Sequence, residues 1–337
     1  MRPSTRLRAP SLAELAHRFA KRRVLVVGDL VADHYVYGQT DRISREAPVL
    51  VVRYENAEVK LGGAANAAAN VASLGGHVTV VGVLGRDEMG AQMRRLFKAA
   101  GIRALTPGAG DGLQTQTKTR ILAGGSNTTR QQVLRLDRGD RPRLSARQRM
   151  EMSRLITAAA RNVDAVLVSD YGSGVVGPET LAALRKLDAE RVPVCVDSRF
   201  ALRSFKGFAV LKPNEPELEA LVGYPLRTEA QVLEAGRAAV AALECRALVL
   251  TRGRSGMVVF DGQGNGEWIA PHGPHEAVDV TGAGDTVMAT LCLGLAAGGS
   301  VLDAARLANV AGSLVVQKQG TATVARAELL RELEMPR

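Results

Sequence analysis

Short apolar runs recur along the second half of the chain, and each stops at a polar residue. AVLVSD (165–170), VPVCVD (192–197), FAVLKPN (208–214) and ALVLTRG (247–253) have the length and β-branched content of buried strands. Stretches with apolar residues at helical spacing separate them, among them PETLAALRKLDAE (178–190) and EAQVLEAGRAAVAAL (229–243). Strand and helix in alternation predict βαβ units, which build a mostly parallel sheet flanked by helices. The first half opens in the same way with VLVVGD (24–29) and then changes character. Segments 34–59 and 116–138 carry turn residues and period-two polarity, as strands wet on one face do. The pattern predicts one doubly wound α/β domain over residues 23–337 with a small inserted β lid from residues 35–56 and 115–136. Residues 1–22 are expected to form a basic arm and an amphipathic helix (Leu12, Leu15, Ala16, Phe19). In such sheets ligands bind beyond the carboxyl ends of the strands. That draws attention to Asp29, Asp33, Asp170, Asp197, Lys212, Asn214 and Thr251.

Composition narrows the function classes. With 46% hydrophobic and 23% charged residues the chain has too much apolar content for disorder. Its longest uncharged apolar stretches, such as residues 287–297, fall well short of the about 20 residues of a membrane span. The basic N-terminus lacks the apolar core of a secretory signal; a transit-peptide mimic and an exposed arm both fit it. Cys195, Cys245 and Cys292 lie far apart in apolar runs without a CxxC, as reduced core thiols of a cytoplasmic protein would. A net charge of +10 suits nucleic acid in principle, but only 4% of residues are aromatic and the basic residues are dispersed. Attraction to a small phosphorylated ligand accounts for the charge equally well, and neither a nucleic-acid nor a membrane partner is expected.

Several glycine-rich stretches compete for the ligand. LGGAANAAANVASLGG (61–76) sets Gly62 and Gly63 before an alanine-rich helix. It reads as a tight turn with close packing, or as backbone open to a ligand with Asn66 facing it. GSGVVG (172–177) matches a dinucleotide fingerprint in letters and has Asp197 twenty residues on. Pro178, however, suits the first helical position and leaves Gly177 outside the helix, where the fingerprint needs it inside. No P-loop motif occurs, and His272 and His275 in a Pro-Gly loop make a poor metal site.

DVTGAGD (279–285) is the most informative stretch. An Asp before an apolar run is commonly a helix cap, but that leaves Gly282 and Gly284 unexplained. Two glycines let backbone amides turn inward at a helix N-terminus and make an anion site. A carboxylate at the mouth of such a site repels phosphate unless it has a role there. Accepting a proton from a hydroxyl that attacks a phosphoryl group is such a role.

DVTGAGD together with GGAAN upstream resembles the paired signatures of the ribokinase-like (PfkB) carbohydrate kinases. KPNEPE (212–217) is similar to that family's N-x-x-E element, and TRGRSG (251–256) to its nucleotide loop. The resemblance covers nearly the whole chain in the right order. It implies a Rossmann-like sheet with a β lid, ATP as donor and Mg2+ as helper. By it, Asp285 is the base and Gly282, Ala283 and Gly284 the anion hole. Asn214 and Glu217 organise Mg2+ indirectly, and Asn214, Thr251, Gly253, Gly256 and Asn309 meet ATP. Asp33, Gly62, Gly63, Asn66 and Asp170 meet the sugar. Asp279 and Thr281 resemble a monovalent-cation site in some relatives.

Within the family, residues 28–49, 61–76 and 117–137 are similar to the subfamily that phosphorylates D-glycero-D-manno-heptose 7-phosphate at its anomeric hydroxyl in lipopolysaccharide precursor synthesis. With no H-x-G-H motif, the chain is expected to be a stand-alone kinase rather than one fused to an adenylyltransferase. Lys118, Arg120 and Arg130 on the lid are the candidates for the substrate's phosphate, and solvated lid charges are the competing reading. The lids are expected to pair two copies into a homodimer. Another PfkB kinase (of fructose phosphate, ribose or a nucleoside), a dinucleotide oxidoreductase and a non-catalytic sugar or nucleotide sensor stay as alternatives.

Overall fold

Side chains alternate between two cores along the central strands of a nine-stranded sheet. Val24 and Val26 face one core and Leu25 and Val27 the other; Ala165 and Leu167 oppose Val166 and Val168 in the same way. The structure, a computed structural model, describes residues 10–108, 113–125, 130–139, 144–189, 192–273 and 276–335. The strands are β1 (Arg23–Gly28), β2 (Leu30–Ile43), β3 (Leu50–Gly63), β4 (His77–Val81), β5 (Arg103–Leu105), β6 (Gln116–Gly124), β7 (Gln131–Arg138), β8 (Ala165–Asp170), β9 (Val194–Ser198), β10 (Val210–Leu211), β11 (Ala247–Thr251), β12 (Met257–Asp261) and β13 (Gly266–Ile269). The main sheet runs β13-β12-β11-β10-β9-β8-β1-β4-β5, antiparallel only at β11–β12 and β12–β13.

The helices are α1 (Leu12–His17), α2 (Ala64–Ser73), α3 (Glu88–Ala99), α4 (Ala146–Ala159), α5 (Pro178–Ala189), α6 (Glu215–Val222), α7 (Glu229–Leu243), α8 (Ala283–Ala296), α9 (Val301–Val315) and α10 (Arg326–Glu334). One face of the sheet packs against α2, α8 and α9, the other against α4, α5, α6 and α7. This is the doubly wound α/β arrangement expected from the sequence. Gly177 stays outside α5, which starts at Pro178, so the dinucleotide fingerprint lacks its helix-packing glycine.

A second sheet, β3-β2-β6-β7, stands apart from the first. Its strands take in residues 30–34 and 57–63, beyond the expected 35–56, because β2 continues from β1 after Asp29 alone and β3 runs directly into α2. The root of the lid is therefore continuous with the carboxyl end of β1 and the N-terminus of α2, which places Asp33 and the Gly62–Gly63 pair at the junction. Far from that root, Ile43, Leu50, Tyr54, Leu134 and Leu136 are half or more exposed. Residues 1–9 of the arm, 126–129 of the second lid segment and His275 lie outside the described residues.

Candidate active site

Asp285 sits in the first turn of α8 and is 3% exposed. α8 is apolar almost all round because it lies between the sheet, α2 and α9, so the carboxylate at its start is drawn into the protein. Two side chains hold it. Asn66 Nδ2 donates to Oδ2 at 2.9 Å, and the Tyr171 hydroxyl donates to Oδ1 at 3.0 Å. Burial pushes its pKa up to about 7, aided by the Asp197 carboxylate; the bonds from Asn66 and Tyr171 and the Lys212 charge oppose the rise. A carboxyl that titrates near neutrality beside a cleft is suited to general-base work.

Asn66 does not present its amide to open space, as one sequence reading had it. Its Oδ1 accepts from Asn70, which also accepts from the Thr286 hydroxyl at 3.0 Å. This buried network ties α2 to α8 and fixes the carboxylate between them. Gly282, the residue before α8, has φ +79°, and a Cβ there would lie 2.5 Å from Asn66 Nδ2. Its glycine is required on both counts. Gly62 answers to close packing too: a Cβ there would lie 2.3 Å from an Asp33 oxygen.

The expected anion hole needs one correction. The Ala283 amide donates back to the Val280 carbonyl at 3.2 Å, a turn bond that takes it out of the hole. Among the described residues, the Gly284 and Asp285 amides have no acceptor in the protein, as the first amides of a helix do not. Beside Gly284 stands an ion pair whose two members the sequence places at strand ends without indicating that they meet. Lys212 Nζ meets Asp197 Oδ2 at 3.0 Å, and both lie just under 4 Å from where a Gly284 Cβ would be. Burial works against the Lys212 charge, but Asp197, Glu217 and Asp285 outweigh it and raise its pKa, so the cation persists.

Lys212, Ala283 and Gly284 line a cavity of about 710 Å3 together with Asn214, Thr251, Gly253, Gly256 and Asn309. The five residues expected to meet the nucleotide are thus brought to one cleft of ligand-binding size, next to the Asp285 turn. Asn214 and Glu217 form a capping box at the start of α6: Asn214 Oδ1 accepts from the Glu217 amide, and the Glu217 carboxylate accepts from the Asn214 amide and Nδ2, all at 2.9–3.0 Å. Burial and the nearby Asp197 push the Glu217 carboxyl above its ordinary value, a surplus of negative charge that a cation would relieve. No cluster of three His, Cys, Asp or Glu arranged for a metal occurs among the described residues. Mg2+ needs none, since it keeps waters and takes one or two carboxylates plus substrate phosphates, so this donor set fits it.

The sugar side shows the largest departures. Arg120 Nη1 pairs with Asp33 Oδ1 at 2.5 Å, and the Thr321 hydroxyl donates to Oδ2 at 2.8 Å, so the Asp33 carboxylate and Arg120 satisfy each other. Arg130 pairs with Glu55. Asp170 accepts from the Ser198 hydroxyl at 2.7 Å and the Gly172 amide at 3.0 Å, which makes it a brace for the loop after β8. Of the lid cations expected at a phosphate, only Lys118 has no ion-pair partner among the described residues; its ammonium lies 5.2 Å from the Tyr171 ring centroid. Asp279 accepts from the Thr281 and Gly320 amides, both at 2.9 Å, and these bonds outweigh burial to keep its pKa below the ordinary value. His272 bonds Glu332 at 2.9 Å. Tyr171, which holds Asp285, carried no signal in the sequence.

Known proteins match this arrangement. The profile of the pfkB family carbohydrate kinases matches residues 21–328. The D-beta-D-heptose 7-phosphate kinase of Bordetella bronchiseptica is 39% identical over 322 residues, which cover 94% of this chain and 98% of that protein. The bifunctional protein HldE of Trichlorobacter lovleyi is 39% identical over 324 residues, 95% of this chain but 65% of its own length. The chain thus spans just under two thirds of that bifunctional relative. Among solved structures, the ribokinase of Arabidopsis thaliana complexed with ribose and ATP superposes with a TM-score of 0.72 at 22% identity, covering 94% of this chain and all of that one. Phosphofructokinase-2 from Escherichia coli gives 0.75 at 19%, with 93% and 98% covered, and shows the same fold. The chain belongs to the pfkB family of carbohydrate kinases.

Proposed function

We propose that the protein is an ATP- and Mg2+-dependent kinase of D-glycero-β-D-manno-heptose 7-phosphate. The γ-phosphoryl group goes to the anomeric O1 and yields the 1,7-bisphosphate, a precursor for ADP-heptose and the lipopolysaccharide core. One observation carries the phosphoryl-transfer chemistry: Asp285, raised toward neutrality by burial, starts the same turn whose free amides and neighbouring Lys212 border the nucleotide-sized cleft. The choice of sugar rests on the similarity to the Bordetella kinase over nearly its full length.

In this reading Asp285 takes the O1 proton as O1 attacks the γ-phosphorus and the bond to the β–γ bridging oxygen breaks, leaving ADP. The Gly284 and Asp285 amides and the Lys212 ammonium bear the charge on the moving group. Asn66 and Tyr171 keep the base in place. Asp33 meets sugar hydroxyls from within its bonds to Arg120 and Thr321. Asn214 and Glu217, with the neighbouring Asp197, would hold Mg2+ through water, and the ion would supply charge neutralisation at the ATP phosphates. A monovalent cation belongs beside the Asp279–Thr281 loop; the Escherichia coli phosphofructokinase-2 has been solved in complex with potassium.

The exposed apolar residues of the lid are covered, in this account, by the lid of a second copy in a homodimer. The buried free thiols suit a reducing cytoplasm, and no helix among the described residues is long and apolar enough to cross a membrane. The test is ADP release against a panel of free and phosphorylated sugars that includes heptose 7-phosphate, fructose 6-phosphate, ribose and nucleosides. Preference for another acceptor overturns the choice of sugar, and turnover of none overturns the kinase reading.

A further inference from the structure

The ring of Tyr171 carries two cations. Lys118 Nζ, from β6 of the lid, lies 5.2 Å from its centroid, and the Arg199 guanidinium carbon, from just beyond β9, lies 5.0 Å from it. Three neighbouring lid arginines are already paired: Arg120 with Asp33, Arg130 with Glu55, Arg135 with Asp137 at 2.9 Å. Among the described residues neither Lys118 nor Arg199 has a carboxylate at ion-pair distance. Burial lowers the Lys118 pKa, and the repulsion of Arg199 and Arg135 adds to it against Asp33 and Asp137. Two cations over one aromatic ring, neither with a carboxylate at ion-pair distance, are stabilised by an anion that reaches both.

We propose that Lys118 and Arg199, set on Tyr171, form a phosphomonoester subsite that reads the end of the sugar remote from the reacting hydroxyl. This rests on the proposed function and replaces Arg120 and Arg130 with Arg199 as the second phosphate ligand. Tyr171 acts as the spacer: its hydroxyl holds Asp285, while the cations lie over its ring. The base and the subsite are therefore separated by about the length of a tyrosine side chain, which suits an acceptor with its reactive hydroxyl at one end and its phosphate at the other. One cation comes from the lid and one from the main sheet, so a dianion bound by both draws the lid onto the substrate. Arg199 is exposed and Lys118 half-buried, so the site opens to solvent until it is filled.

The same chemistry has a second source, the γ-phosphate of ATP, and the experiment separates the two. kcat/KM is measured for heptose 7-phosphate and for free heptose with the parent, Arg199→Ala, Lys118→Ala and Arg199→Lys. The proposal expects the preference for the phosphorylated sugar to drop at least tenfold in each alanine variant, with KM for ATP held within about twofold, and Arg199→Lys to restore most of the preference. An unchanged preference, or a loss that appears in KM for ATP, overturns it. Independently, inorganic phosphate is titrated by 31P NMR with ADP filling the nucleotide cleft. Saturable binding that weakens at least tenfold in both alanine variants supports the subsite, and equal binding contradicts it. Should the parent turn over neither sugar, the proposed function fails, and the phosphate titration still decides the subsite.

Discussion

Asn66 and Asp285, 219 residues apart, are joined by a 2.9 Å hydrogen bond from Nδ2 to Oδ2. Each stands on the first turn of its helix, so the bond brings the N-termini of α2 and α8 to one point. The two glycine signatures of the chain are two halves of one site. The GG before α2 packs the backbone onto Asp29 and Asp33, and Gly282 before α8 leaves room for the Asn66 amide.

Replacing Asp285 by Asn keeps the size of the side chain and removes the carboxylate proposed as the base. Turnover is expected to fall by about 100-fold or more, with ATP affinity little changed. Steady-state kinetics and nucleotide binding by calorimetry check this; near-normal turnover contradicts the assignment.

The pH dependence has a definite sign. Burial raises the Asp285 pKa to about 7, and the base works only when ionised, so kcat/KM for the sugar should climb as pH rises through about 7 and level off above it. Tyr171→Phe removes a hydrogen bond that favours the carboxylate, which moves the rising limb to higher pH. A profile flat from pH 6 to 8, or a limb unmoved by the substitution, goes against this account.

The two glycines of the loop should respond differently to alanine. At Gly282 the left-handed backbone costs about 1–2 kcal/mol and the new Cβ collides with Asn66, so both stability and turnover should fall. At Gly284 a Cβ meets only Asp197 and Lys212 at 3.8 and 3.9 Å. Alanine there suits the helix, by up to about 1 kcal/mol, yet crowds the place of the transferred phosphate. Gly284→Ala is thus expected to melt no lower than the parent while losing activity; thermal melts beside kinetics separate the two.

Ile43, Leu134 and Leu136 are 65%, 54% and 55% exposed on the lid. Asp at Ile43 or Leu134 should turn a dimer into a monomer at micromolar concentration, as read by light scattering. A parent that is already monomeric and fully active refutes the lid-paired dimer.

The main sheet was legible because runs such as AVLVSD and ALVLTRG carry their period and their ends within a few residues. The pattern did not reveal β5 and β13, of three and four residues, since so short a run has no period to show. The chemistry of DVTGAGD was legible for the same local reason: acid and glycines share one turn. Pairing across the fold was not. Arg120 meets Asp33 across 87 positions and Arg130 meets Glu55 across 75, and nothing local to either arginine signals that its charge is taken. Tyr171 looked like an ordinary loop residue, and only the packing of β8 beside α8 aims its hydroxyl at Asp285.

The γ-phosphoryl group of ATP is proposed to go to O1 of heptose 7-phosphate. This transfer is tested most directly by 31P NMR of the reaction of the purified protein with ATP, Mg2+ and heptose 7-phosphate. One new anomeric phosphate signal is expected to grow in step with ADP while the 7-phosphate signal persists, with neither change in Asp285→Asn. ADP formed without a sugar bisphosphate, or phosphate arriving at another hydroxyl, would contradict the proposal.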